Sequence, residues 1–111
     1  MRSDRERLLD ILEAIERIEK YAVRGKEVFA TDELVQTWIV HNMQTMGEAA
    51  SKVTAEFRTR HAGIPWAQIV AMRNVLVHEY FGMDVEEVWA AVERNVPQLK
   101  SKILLLLGEI E

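Results

Sequence analysis

The 111-residue sequence predicts an all-α protein in a single domain, 1–111, with the last helix kinked or split at Pro97. Three observations carry this. Apolar residues recur at helical spacing through every long segment, and no segment alternates apolar with polar as a half-buried strand does. Only two prolines and five glycines interrupt the chain. Capping residues stand ahead of the apolar runs: Ser3 with Glu6, Thr31 or Asp32, and Asp84 with Glu87.

The first helix should start near Asp4, because Ser3 and Glu6 form a capping box. Leu8, Ile11, Leu12, Ile15, Ile18 and Ala22 then make one apolar stripe, and Gly25 is the natural stop. Lys26 to Ala30 reads as a short loop. From Thr31 or Asp32 a second helix keeps its apolar spacing through Leu34, Val35, Trp38, Ile39, Met43, Met46, Ala50, Val53 and Phe57. It should run about 26 residues and pair with the first as a long antiparallel hairpin. Gly47 sits in its middle at a propensity cost of about 1 kcal/mol, which a close approach of another helix would explain. Glu48 beside it is either solvated or a partner for a cation such as Arg73.

Arg58 to Gly63 reads as a turn and, with Lys52, is the most basic local stretch. If the chain meets a nucleic acid, this stretch is the first candidate for guiding the phosphates, which supply affinity rather than sequence choice. A third helix opens near Pro65, a residue preorganised for a first helical turn, and ends at Gly82. The last helix follows Asp84 and carries Val85, Val88, Trp89, Val92, Val96, Leu99, Ile103 and Leu106 on one face. Pro97 removes one backbone bond from it, so segments near 85–96 and 97–109 are expected.

Composition narrows the function. At 49% apolar residues the chain is not disordered. It has no cysteine, hence no disulfide framework and no thiolate metal site, which suits a reducing cytoplasm. The start has no apolar signal core, and the longest apolar run, Ile103 to Leu107, is far short of a membrane span. A formal net charge of −4 argues against a general nucleic-acid coat protein. An enzyme that meets a nucleic acid at one local basic patch, segregated from an acidic face, remains open.

The chemistry-bearing stretch is Arg73-Asn74-Val75-Leu76-Val77-His78-Glu79-Tyr80. At about 100° per residue, Arg73 and Tyr80 fall on nearly the same face of the third helix, and Asn74 and His78 are i,i+4 neighbours. Arg73 offers a planar fork of donors matched to phosphate oxygens. His78 is the only residue of this stretch that ordinarily titrates near neutrality, as an acid or base for a phosphodiester must. Asn74 would donate to the same phosphate or fix the His78 tautomer. Tyr80 would bind phosphate or a base through its hydroxyl and ring. One chain supplies one such histidine, whereas acid and base work together is easier with two, as a twofold dimer with apposed motif helices would supply. His41, among apolar neighbours, reads as packing, and His61 as exposed. Trp38, Trp66 and Trp89 read most simply as core, an exposed one being a candidate stacking platform for bases. No grouping of His, Asp or Glu has a convincing metal-ligand spacing.

The run Ile64-Pro65-Trp66 through Arg73-Asn74, His78, Tyr80-Phe81-Gly82-Met83-Asp84 resembles the signature of the HepT-like branch of the HEPN superfamily, and Met46-Gly47-Glu48-Ala49-Ala50 resembles its Gly-Glu-Ala segment. The resemblance covers essentially the whole chain. It implies a HEPN-type antiparallel four-helix bundle, homodimeric, acting as the toxin of a type VII-like toxin–antitoxin system. The implied activity is a metal-independent endoribonuclease cutting RNA, such as tRNA or mRNA, in a cleft at the dimer interface. Arg73 and His78 would be catalytic, with Asn74 and Tyr80 supporting or binding phosphate. The implied partner is a minimal nucleotidyltransferase antitoxin that silences the toxin by transferring AMP to Tyr80. No cofactor, metal, membrane or DNA is expected. The rival reading is a non-catalytic HEPN module that binds a nucleotide or a partner with the same residues.

Overall fold

A computed structural model describes residues 2–78 and 84–110, with the side chains of 74–78 outside the description. Among the described residues all regular structure is helical. Four long rods form the bundle. The first is α1, Asp4–Ala22, and the short helix α2, Lys26–Thr31, leads from it to α3, Glu33–Ser51. A second short helix, α4, Ala55–Arg60, precedes the motif helix α5, Trp66–His78. The last rod comprises α6, Val85–Ala90, a wide π-helical turn at Ala91–Asn95, and α7, Val96–Ile110.

The expected caps are in place. Ser3 Oγ accepts from the Glu6 backbone at 3.1 Å, while the Glu6 carboxylate accepts from the Ser3 backbone at 2.9 Å. Asp84 accepts from the Glu87 backbone at 3.2 Å, and Asp32 accepts from Leu34 and Val35. The expected break at Pro97 is present too. The Val96 N–H reaches back to the Ala91 carbonyl, one residue beyond an α-helical bond. Proline has no N–H to donate, and its ring crowds the carbonyl four residues back. A wide turn just ahead of it absorbs that mismatch while the rod continues.

Cross-bundle bonds give the directions. Trp38 Nε1, near the start of α3, donates to the Arg17 carbonyl near the end of α1 at 2.7 Å. At the other end, Thr54 donates from its backbone N and its hydroxyl to the Asp4 carboxylate at 2.9 and 2.7 Å. The two helices are therefore antiparallel. Lys100 of α7 binds Glu19 of α1 at 2.8 Å while Leu106 and Leu107 pack with Leu8 and Ile11, so that pair is antiparallel as well.

The core has two lobes. One gathers Leu8, Ile11, Ile15, Met46, Val53, Trp66, Ile69 and Ile103; the other gathers Ile18, Phe29, Ile39, Met43, Val88, Trp89 and Val92. Met72 of the motif helix packs against both. The residue beside it is thereby fixed relative to the whole bundle.

Four sequence expectations need correction. Lys26–Thr31 is a helix, not a loop, and its Phe29 is fully buried against Trp89 with ring centroids 5.6 Å apart. The second long helix stops at Ser51 instead of running to Phe57, because Asp4 captures Thr54, which then caps α4 through the Phe57 N–H. The stretch taken for a turn from Arg58 is, up to Arg60, the end of that short helix. Leu34, placed in the apolar stripe, is 81% exposed.

Candidate active site on the motif helix

Why Arg73 sits where it does follows from Gly47. A Cβ built on Gly47 would lie 2.8 Å from Arg73 Cβ, 2.9 Å from the Ile69 carbonyl oxygen and 3.1 Å from the Arg73 backbone nitrogen. Those last two atoms are the ends of one hydrogen bond within α5. The absent side chain thus lets α5 lie directly on α3, as the mid-helix glycine suggested, and the contact point is the root of Arg73.

From that root the guanidinium turns along α3. Its Nη1 donates to Glu48 Oε2 at 2.9 Å and to Ser51 Oγ at 3.2 Å. Lys52 reaches the other oxygen of the same carboxylate at 3.3 Å. The arginine side chain is 33% exposed and Glu48 is 49% exposed. Of the two readings of Glu48, partner and solvated group, both hold: it pairs with Arg73 and still meets water. The hydrogen bond from Arg73, and then that from Lys52, holds the Glu48 carboxyl below the usual carboxylate range.

Asn74 and His78 belong to α5, within the same two turns as Arg73, but their side chains are not among those described. Tyr80, the fourth site residue expected from the sequence, lies outside the described residues. His41, expected to pack, is exposed and lines a groove of about 510 Å³ between α1 and α3 that ends at Glu48 and Arg73. Its neighbour Asn42 takes the buried direction: it is 1% exposed, its Nδ2 donates to the Trp38 carbonyl at 2.9 Å, and among the described residues its Oδ1 finds no donor. His61, expected exposed, is half-buried with its ring 4.4 Å from that of Phe57. Trp66 and Trp89 are core, while Trp38 is half-buried, edge-on to Tyr21. Ser51 was not singled out from the sequence. A serine at a helix end carries no local signal, and only the packing of α5 on α3 brings it to Arg73.

Among the described residues no three His, Cys, Asp or Glu side chains are grouped to hold a metal ion, and no helix is long and apolar enough to cross a membrane.

The protein is thus an all-α bundle in which an arginine is anchored at the crossing of two helices, with an asparagine next to it and a histidine five residues on along the same helix. Residues 11–106 match the family described as Ribonuclease HepT-like, and the chain belongs to that family. It is 37% identical over 102 residues to a protein of Thermococcus cleftensis named "Probable ribonuclease HepT", covering 91% of this chain and 93% of that one. It is 32% identical over 108 residues to a candidate RNase of Caldanaerobacter subterraneus subsp. tengcongensis, covering 96% of each. A Methanocaldococcus jannaschii protein, named as a gamma-glutamylcyclotransferase and candidate RNase, is 34% identical over 102 residues; there the chain spans 91% of itself but only 46% of the relative. No solved structure matches the chain at comparable stringency.

Proposed function

We propose that this chain is a metal-independent endoribonuclease and the toxin of a type VII-like toxin–antitoxin pair in the cytoplasm, working as a twofold dimer. The observation that carries the reading is Arg73 in a member of a ribonuclease family. Its position is fixed by backbone contact, its guanidinium is oriented by Glu48 and Ser51, and a third of it is open to a ligand. An oriented fork of this kind suits the charge of a phosphodiester as it becomes a pentacoordinate transition state.

In this reading the 2′-hydroxyl of RNA attacks the adjacent phosphorus. The 2′-oxygen–phosphorus bond forms, the bond from phosphorus to the 5′-oxygen breaks, and a 2′,3′-cyclic phosphate and a 5′-hydroxyl result. His78 removes the 2′-hydroxyl proton, and the partner chain's copy, in its protonated form, supplies a proton to the leaving 5′-oxygen. Arg73 holds the non-bridging oxygens, with Asn74 donating beside it. Because the nucleophile is the 2′-hydroxyl, RNA and not DNA is the substrate. Control comes from the nucleotidyltransferase antitoxin. The Tyr80 oxygen attacks the α-phosphorus of ATP, pyrophosphate leaves, and the hydroxyl proton is lost. The resulting AMP-tyrosine sets a bulky anion near Arg73, opposing substrate by charge and volume.

The test is cleavage of total RNA and of tRNA, in EDTA, by wild type and by His78→Ala, both shown folded by circular dichroism. Cleavage by wild type alone is the expected result. Cleavage by neither, from protein shown by mass spectrometry to be unmodified at Tyr80, would favour the non-catalytic binding module. A protein that sediments as a monomer and still cuts would remove the dimer from the mechanism. Adenylate found on Tyr80→Phe after exposure to the antitoxin would place the modification elsewhere.

A further inference from the structure

Charge is unevenly shared along this acidic chain. Residues 52–73 hold Lys52, Arg58, Arg60 and Arg73 against Glu56, a net +3, with Glu48 and Glu79 just outside on either side. Packing brings part of this excess to the site. Lys52 and Arg73 sit on the two oxygens of the Glu48 carboxylate, at 3.3 and 2.9 Å. Lys52 also ends α3, three residues before α4 begins. That short helix is held rigidly for its size. Thr54 caps it and is bound to Asp4, and Phe57 is buried beneath it beside Trp66, with centroids 6.3 Å apart.

Among the described residues Arg58 and Arg60 make no ion pair, as is also true of Lys20, Arg24, Arg94 and Lys102; what sets these two apart is that they stand together in the last turn of one short helix. Arg60 lies over the Phe57 ring at 5.8 Å. Arg58 is half-buried, and its Nε is buried without a hydrogen-bond partner.

We propose that α4 is a docking strip for the phosphates of single-stranded RNA flanking the cut, with Arg58 and Arg60 each holding one phosphate and Lys52 joining them to Arg73. This rests on the ribonuclease reading above and adds to it where the flanking chain lies. The strip carries no base-reading group, so it contributes affinity and register, not sequence choice. A helix pinned at Thr54 and Phe57 presents its arginines at little ordering cost.

The test uses the full chain carrying His78→Ala and a fluorescently labelled single-stranded RNA, with affinity measured by anisotropy across a range of KCl concentrations. The comparison is the same protein with Arg58→Gln and Arg60→Gln, and a third with Arg58→Lys and Arg60→Lys, each checked by circular dichroism. Losing two phosphate contacts should weaken binding and lower the slope of log affinity against log salt by about 1.4, some 0.7 per contact on a single strand. The lysine pair should restore most of that slope, which a merely structural role for the arginines would not predict. An unchanged slope and affinity in the glutamine pair, from a parent that binds RNA, overturns the strip and leaves the ribonuclease reading standing. Unchanged RNA binding with lost binding to the antitoxin overturns it too and assigns the arginines to an acidic protein surface. A parent that binds no RNA at any salt overturns both.

Discussion

Alanine at Gly47 should act in the opposite sense to alanine at Gly108, and the difference measures how closely the motif helix rests on α3. Both glycines are helical, so both substitutions gain helix propensity, about 1 kcal/mol in a helix interior and less near a frayed end. Around Gly108 nothing lies within 4 Å, and the gain should appear directly, as about 0.5–1 kcal/mol of added stability. At Gly47 the new methyl would stand 2.8 Å from Arg73 Cβ and 2.9 Å from the Ile69 carbonyl, where ordinary contact begins at 3.4 Å. The helices must part by about 0.6 Å, the difference between 3.4 and 2.8 Å. No flexible side-chain tip can give way, since the obstructing atoms are backbone and Cβ. Overpacking of this kind costs about 1–3 kcal/mol. Net of the propensity gain, Gly47→Ala should be destabilised by up to about 2 kcal/mol. Urea unfolding followed by circular dichroism would read it as a lower midpoint at unchanged m-value. Cleavage should fall as well, because a reacting group displaced by about 1 Å can cost on the order of a hundredfold in rate. If Gly47→Ala proved as stable as Gly108→Ala, α5 would not rest on α3 through this point, and the placing of Arg73 argued from it would be wrong.

Three further outcomes follow from the same geometry. Arg73 and then Lys52 depress the Glu48 pKa, so its contribution to stability is fully present above the unfolded value near 4.5 and is lost as pH falls through the lower folded value. Between those limits wild type should lose more stability than Glu48→Gln, and urea midpoints across acid pH that fall in parallel would deny the pairing. Asn42→Leu removes a buried acceptor that has no partner and should be neutral or stabilising by about 1–2 kcal/mol; a loss of more than about 1 kcal/mol would show that Oδ1 is satisfied in solution. Thr54→Ala removes the cap of α4 and the tie to Asp4 together, and should cost about 1–2 kcal/mol in thermal or urea unfolding, against a negligible change if α3 in fact ran on through Lys52.

What the sequence disclosed and what it hid divide along the range of the interactions. The Ser3–Glu6 cap, the break before Pro97 and the close approach at Gly47 are each written in a few neighbouring residues, and each is present. The end of α3 is not local. Val53 and Phe57 keep the apolar spacing and are buried, so the pattern continues across a backbone that has already turned. The turn is made by Asp4, fifty residues away. The two short helices were hidden for another reason. Each has six residues, too few for periodicity to register, though Val28-Phe29 between charged and polar ends and Thr54 as a cap were the available signs. At the site the motif helix was legible from the spacing of Arg73, Asn74, His78 and Tyr80. Ser51, twenty-two residues before Arg73, was not, because only the crossing of α3 and α5 makes them neighbours.

That crossing also separates two things done to Arg73. Its place is set by backbone lying on backbone at Gly47 and by Met72 wedged between the two lobes of the core, neither of which involves charge. Its direction is set by Glu48 and Ser51. A half-exposed ion pair is screened by water and adds little to stability, so the contact with Glu48 matters for where the guanidinium points. In the proposed reaction a substrate phosphate would then share or displace a carboxylate that Lys52 also holds. The two substitutions should therefore fail differently. Gly47→Ala moves the root of Arg73, lowering stability and turnover together. Glu48→Gln leaves the root in place at neutral pH and loosens the tip: the fold loses only the small contribution of a half-exposed pair, while phosphate binding gains from the lost negative charge and turnover suffers from the lost aim. A Glu48→Gln protein that bound RNA more weakly than wild type would mean that the carboxylate supports the guanidinium without competing for it.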